Sequence, residues 1–198
     1  MNSTLEKRIS EFNLISDSRK KELRELSDFV SSKNGKANLI FICTHNSRRS
    51  HLSQIWAQLA ANYYGFNEVR TYSGGTEATA FFQSGIDAIK HAGIEVLKLS
   101  EGINPVYAVN YSETAHPVIC FSKKYNDSFN PQSNFAAIMT CNNADINCPF
   151  IPNATERISI KYEDPKVADG TPQQLQKYIE RSEQIAREML YVFSVSTK

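Results

Sequence analysis

A chain of 198 residues, 41% hydrophobic and 22% charged, suits one globular domain with a small appendage and excludes bulk disorder. Its net charge of +1 gives no global field for nucleic acid or a membrane surface, so any attraction for anions must be local. No apolar run approaches the roughly 20 residues that span a bilayer, and Met1 to Lys20 lacks the apolar core of a secretory signal, which points to a cytoplasmic protein without membrane or nucleic-acid partners.

The first 36 residues read as a helical extension ahead of a domain running from 37 to 198. Ser16 and Asp17 form an N-cap signal, and Leu23, Leu26 and Val30 then share one helical face until Asn34-Gly35 breaks it. Ala37 to Cys43 is a short apolar run expected of a buried parallel strand. After a polar loop, Leu52, Ile55, Trp56, Leu59, Ala60 and Tyr63 recur at helical spacing, and Gly65 closes that helix.

A second strand is expected from Glu68 to Ser73, a helix from Phe82 to Ala92, and further strands at Ile94 to Leu97 and Phe135 to Thr140. The last helix puts Leu175, Tyr178, Ile179, Ala186, Met189, Leu190 and Phe193 on one stripe. This alternation implies an α/β fold, a parallel sheet covered by helices on both faces. Asn104 to Asn134 fits the rhythm poorly. Val106 to Tyr111 and Pro117 to Ser122 read there as an inserted hairpin, followed by a loop.

The segment Cys43-Thr44-His45-Asn46-Ser47-Arg48-Arg49-Ser50 follows the buried strand and opens the amphipathic helix. Such a turn aims backbone N–H groups at one point, and the helix N-terminus adds partial positive charge, so residues 44–49 form a nest for a phosphate-like tetrahedral anion. Arg49 can clamp two oxygens of that anion with its planar fork. Cys43 sits at the base of the nest, where the same potential favours thiolate, the nucleophilic form, and Ser50 can donate a hydrogen bond to it.

Leu39 to Ser50 resembles the active-site loop of low-molecular-weight protein tyrosine phosphatases, and more closely that of the related thioredoxin-coupled arsenate reductases. The similarity continues through Tyr72-Ser-Gly-Gly-Thr-Glu-Ala78 and from Met139 to Pro165. It implies a flavodoxin-like fold and an enzyme with no bound cofactor and no metal. It also matches Asn46 and Ser73 to positions that hold the loop. Two residues depart from the family pattern: His45 stands where Gly is usual, and Arg48 where Cys is common. A non-Gly residue in a tight nest implies backbone strain or an added titratable donor. Arg48 either strengthens attraction for a dianion or is a solvated loop arginine.

Cytoplasmic cysteines are more often catalytic, metal-binding or buried than structural disulfides. Cys141 and Cys148 flank six residues rich in Asn, a spacing poor for metal and open to two readings, inert thiols or a redox relay. Their flanks resemble the arsenate reductases, and simple tyrosine phosphatases lack the pair. The resemblance implies a Cys43–arsenate adduct, attack by Cys141 on Cys43, attack by Cys148 on Cys141, and reduction of the last disulfide by thioredoxin as partner.

Asp164-Pro165 matches the family's acid, so Asp164 is expected to protonate the leaving oxygen. Phosphatases of the family place aromatics just after this pair, whereas Lys166-Val-Ala-Asp-Gly170 follows here, which favours a small inorganic oxyanion. The alternative is a tyrosine or small phosphate-ester phosphatase using Cys43, Arg49 and Asp164. Cys120 and Trp56 read as core residues, and His51, His91 and His116 as surface or loop residues.

Overall fold

The computed structural model describes residues 2–147 and 150–197. Two helices come first, α1 (Asn2–Ser10) and α2 (Asp17–Ser32). Then follow β1 (Asn38–Cys43), α3 (Arg49–Tyr63), β2 (Arg70–Gly75) and α4 (Gln83–His91). The middle of the chain holds β3 (Glu95–Lys98), β4 (Tyr107–Asn110) and β5 (Val118–Cys120). The last part holds β6 (Phe135–Met139), α5 (Asn142–Asn147), β7 (Ala154–Ser159) and α6 (Gln174–Val195).

Four parallel strands in the order β2-β1-β6-β7 make the main sheet, the flavodoxin-like arrangement. In β1, Leu39 and Phe41 enter the large core cluster while Ile40 and Ile42 enter a smaller one on the opposite face, as a two-residue side-chain period requires. The large cluster takes residues from α2, α3, α4 and α6. The smaller is closed by Ala144 of α5, Ile151 and the partly buried Tyr72 and Tyr125. Coverage of the sheet is therefore lopsided. Among the described residues, no helix is long and apolar enough to cross a membrane.

Ser16 caps α2 by accepting the Arg19 N–H at 3.2 Å, and Asn34 (φ 50°) and Gly35 (φ 72°) turn the chain out of it. Leu23, Leu26, Phe29 and Val30 of α2 are buried in the same cluster as Leu39 and Phe41. At roughly 1.5–3 kcal/mol for each such side chain, the extension is a substantial part of the core.

Three expectations need correction. Ile94 to Leu97 does not continue the parallel sheet, because β3 pairs antiparallel with β4, and β4 with β5, in a separate sheet. Only Val96 of β3 is buried, so the strand lacks the two-sided burial that a parallel sheet demands. Tyr63, in the last turn of α3, and Leu175, in the first turn of α6, are each 45% exposed and lie off their core stripes. Strand β7 went unforeseen because Ala-Thr-Glu-Arg-Ile-Ser is polar, as befits an edge strand buried mainly at Ile158. The two sheets meet where Gly75 N–H donates to the Lys123 carbonyl and Tyr125 N–H to the Gly75 carbonyl, each at 2.9 Å.

Candidate active site

β1 ends at Cys43 and α3 begins at Arg49, so residues 44–48 form the connecting turn. The carbonyls of Cys43, Thr44 and Ser47 accept from the N–H groups of Thr76, Glu77 and Phe82, at 3.2, 2.8 and 2.9 Å. The His45 carbonyl accepts from the Ser122 and Thr79 hydroxyls at 3.0 and 3.2 Å. Carbonyl and following N–H point to opposite sides of a planar peptide, so these outward bonds turn the N–H groups of residues 44, 45, 46 and 48 toward the loop interior. That is the arrangement expected of an anion nest. Gly75 makes it possible: a Cβ there would lie 2.7 Å from the Asn46 nitrogen and 2.2 Å from the Glu77 carbonyl oxygen.

The left-handed residue of the loop is Asn46 (φ 44°), not His45, so the family departure at His45 brings no left-handed strain. The His45 side chain is 46% exposed and faces Glu77 at 3.5 Å. Asn46 is fully buried, with its Oδ1 accepting the Lys123 N–H at 2.9 Å and its Nδ2 donating to Ser50 Oγ at 2.8 Å. Ser50 accepts there, which leaves its own proton free for Cys43 Sγ, 3.1 Å away, when that sulfur is a thiolate. Cys43 and Ser50, expected as nucleophile and hydrogen-bond donor, are thus brought together.

Arg49 reaches the acid loop. Its Nη1 donates to the Tyr162 carbonyl at 3.1 Å and its Nη2 to Asp164 Oδ2 at 2.5 Å, while its buried Nε has no partner. A buried N–H without an acceptor beside an anion nest is a group that a bound oxyanion would satisfy. Asp164 Oδ1 also accepts the Lys166 N–H at 3.1 Å, which fixes the carboxylate at the start of a 3-10 turn, Pro165–Ala168.

Arg48 is not a solvated loop arginine. It donates to Tyr178 Oη at 2.5 Å and Asp169 Oδ2 at 2.7 Å, and lies 4.2 Å from the Phe82 ring centroid. It ties the nest to the segment after Asp164.

Cys141 follows β6, the neighbour of β1. Its Sγ lies 3.6 Å from Thr44 Oγ1, accepts the Ala144 N–H at 3.4 Å, and shares the smaller apolar cluster with Cys43. The segment after it is the short helix α5, anchored by Asp145, which meets Arg157 at 2.6 Å and Lys161 at 3.4 Å. Burial alone would raise the Asp145 carboxyl, but Arg157, Lys161 and Ser159 hold it below the usual range. Cys148 lies outside the described residues.

His51 corrects an expectation. It is fully buried, stacked on Phe81 at a centroid distance of 4.3 Å, with Nδ1 3.2 Å from Ser73 Oγ. Burial, with Lys123 nearby, holds it well below the usual imidazole range, so it is neutral. Its four-residue spacing from Ile55 put it on the core face of α3 and was the available signal. Tyr162, Asp169 and Tyr178 also went unnoticed as members of the site, since nothing local marks them. Cys120 and Trp56 are buried as expected.

No family model matches the chain. An arsenate reductase 2 of Staphylococcus haemolyticus is 25% identical over 130 residues, 66% of this chain and 79% of that protein. An arsenate reductase of Bacillus licheniformis is 26% identical over 146 residues, 74% of this chain and 86% of that one. In structure, a YwlE mutant from Bacillus subtilis matches with a TM-score of 0.56 at 13% identity, over 80% of this chain and 97% of that one. An arsenate reductase in the phosphate binding state matches with a TM-score of 0.51 at 14% identity, again over 80% and 97%.

Proposed function

We infer that this chain, which belongs to the family joining thioredoxin-coupled arsenate reductases with low-molecular-weight tyrosine phosphatases, reduces arsenate to arsenite through its own thiols. The observation that supports this reading most is the position of Cys141. Hydrolysis of a phosphate ester needs no resolving thiol, yet Cys141 Sγ lies 3.6 Å from the hydroxyl of Thr44, the residue next to Cys43. A relay needs its resolving sulfur there.

In this reading the nest of residues 44–49 binds the oxyanion. The Cys43 thiolate attacks arsenic, and the departing oxygen takes a proton from Asp164. The Cys141 thiolate then attacks the Cys43 sulfur, and the electrons of the S–As bond stay on arsenic. Arsenic(V) becomes arsenic(III), arsenite leaves, and a Cys43–Cys141 disulfide remains. The Cys148 thiolate attacks Cys141, freeing Cys43, and an external dithiol of the thioredoxin kind reduces Cys141–Cys148. Arg49 serves as clamp, with its Nε and the outer edge of its guanidinium turned to the oxyanion.

NADPH consumption with arsenate, thioredoxin and thioredoxin reductase tests the reading, with Cys43→Ser and Cys148→Ser as comparisons. Steady oxidation by the wild type alone is expected. Sustained cycling by Cys148→Ser would remove the relay. No oxidation, together with Cys43-dependent hydrolysis of an aryl phosphate, would make the protein a phosphatase, a reaction for which Cys43, Arg49 and Asp164 are equally suited.

A further inference from the structure

The helical extension reaches the chemistry through Arg19 of α2. Its guanidinium carbon lies 4.9 Å from the centroid of the Tyr162 ring. The group is fixed there by Glu188 of α6, whose Oε2 accepts Nε at 3.0 Å and Nη2 at 2.8 Å. Glu188 is 3% exposed, so this pair is largely removed from water, where its geometry is held more firmly than at a surface. Tyr162 itself is buried, with its N–H donating to the Thr140 carbonyl at 3.1 Å and its carbonyl accepting Arg49 Nη1 at 3.1 Å. Two residues later stands Asp164, the other partner of Arg49. A rigid ring pinned on its face by a buried cation fixes the backbone that carries both of these acceptors.

We propose that Arg19 is a positioning residue for the oxyanion clamp: by holding Tyr162 it sets where Arg49 and Asp164 stand, which makes the N-terminal extension a working part of the active site. Neither Arg19 nor Glu188 touches the nest. Their effect passes through one aromatic ring and one main-chain carbonyl. The proposal rests on the oxyanion site described above but not on arsenate being its substrate.

The test uses the full-length reduced protein and inorganic phosphate as probe, reading how phosphate protects Cys43 from alkylation by iodoacetamide. In Arg19→Met, the phosphate concentration giving half protection should rise about 10-fold, the scale of loss when a clamp is displaced by a fraction of an ångström. The alkylation rate without phosphate should stay within about two-fold of wild type, because Cys43 and Ser50 are untouched. Arg19→Lys, which keeps a cation over the ring and beside Glu188, should recover most of the affinity. Should Arg19→Met fail to fold because Glu188 is left buried and unpaired, the Arg19→Met/Glu188→Gln double variant decides, with the same rise expected. Unchanged half protection in a folded Arg19→Met or in the double variant would overturn the proposal. If wild type fails to reduce arsenate while Arg19 still controls phosphate protection, the reductase reading falls and the positioning role stands.

Discussion

Arg49 and Asp164 form an ion pair at 2.5 Å, with the Arg49 side chain also tied to the Tyr162 carbonyl at 3.1 Å. The proposed clamp and the proposed acid are therefore one unit, and an oxyanion entering the loop would compete with the carboxylate for the guanidinium.

Asp164→Asn separates the two roles. Loss of a general acid costs about 10²–10⁴-fold in rate, so adduct formation or aryl phosphate hydrolysis should slow by at least the lower figure. Oxyanion affinity should hold or improve, because a neutral amide competes less for Arg49. Weaker oxyanion binding with an unchanged single-turnover rate would contradict this.

The two relay cysteines should fail differently. Cys141→Ser should release no arsenite, since nothing attacks the Cys43 adduct. Cys148→Ser should release one arsenite per chain and stop with a Cys43–Cys141 disulfide, which peptide mapping would identify. Equal stoichiometry in the two variants would refute the order of steps.

Gly75→Ala should damage stability and activity together. The added methyl meets main-chain atoms of Asn46, Thr44 and Glu77 at 2.7, 2.7 and 2.2 Å, none of them the flexible end of a side chain. Overpacking of this kind costs roughly 1–3 kcal/mol, readable by urea unfolding, and the displaced nest should lose most oxyanion affinity. A stable variant with intact phosphate protection would show that the loop can yield.

Lys123 gives a pH dependence. It is 2% exposed, and burial brings its ammonium from 10.5 down to about 8. Between those values the folded state binds fewer protons than the unfolded chain, so this group makes stability rise with pH. A shift of that size corresponds to roughly 3 kcal/mol. Cys120 acts oppositely from about pH 9 upward, since burial raises its thiol from 9.0 to about 12. Wild type should therefore gain stability relative to Lys123→Met from pH 7.5 to about 9 in urea unfolding. The reverse slope would exclude a buried ammonium as its source.

The nest was legible because each component has a local signature: an apolar run ending at Cys43, a turn, and an apolar stripe starting beyond Arg49. Its supports were not. Arg19 and Glu188 lie 169 positions apart, and Arg48 and Tyr178 lie 130 apart, so no window of sequence holds either pair. Lys123 contributes its main chain to Asn46, and a backbone donor leaves no trace in residue type. No element was expected in the Asn-rich stretch after Cys141, because asparagine disfavours helix, yet Asp145, gripped by Arg157 and Lys161, holds α5 in place. β3 has the length of a strand, but its sheet and its partner's direction differ from the expectation.

The register of β1 and β6 has one more consequence. Ile42 pairs with Met139, and the Thr140 N–H donates to the Ile42 carbonyl at 2.8 Å, so the hydrogen-bonded ladder runs up to the residue before each sulfur-bearing one. Neighbouring strands stand ~4.8 Å apart, and a disulfide spans Cα separations of about 4.4–6.8 Å. On the proposed relay, the sheet thus brings the two strand ends that lead into Cys43 and Cys141 side by side for the first sulfur exchange. On that reading, sequence drift in the stretch after Cys141 would act on the later exchange and leave these paired strand ends in place.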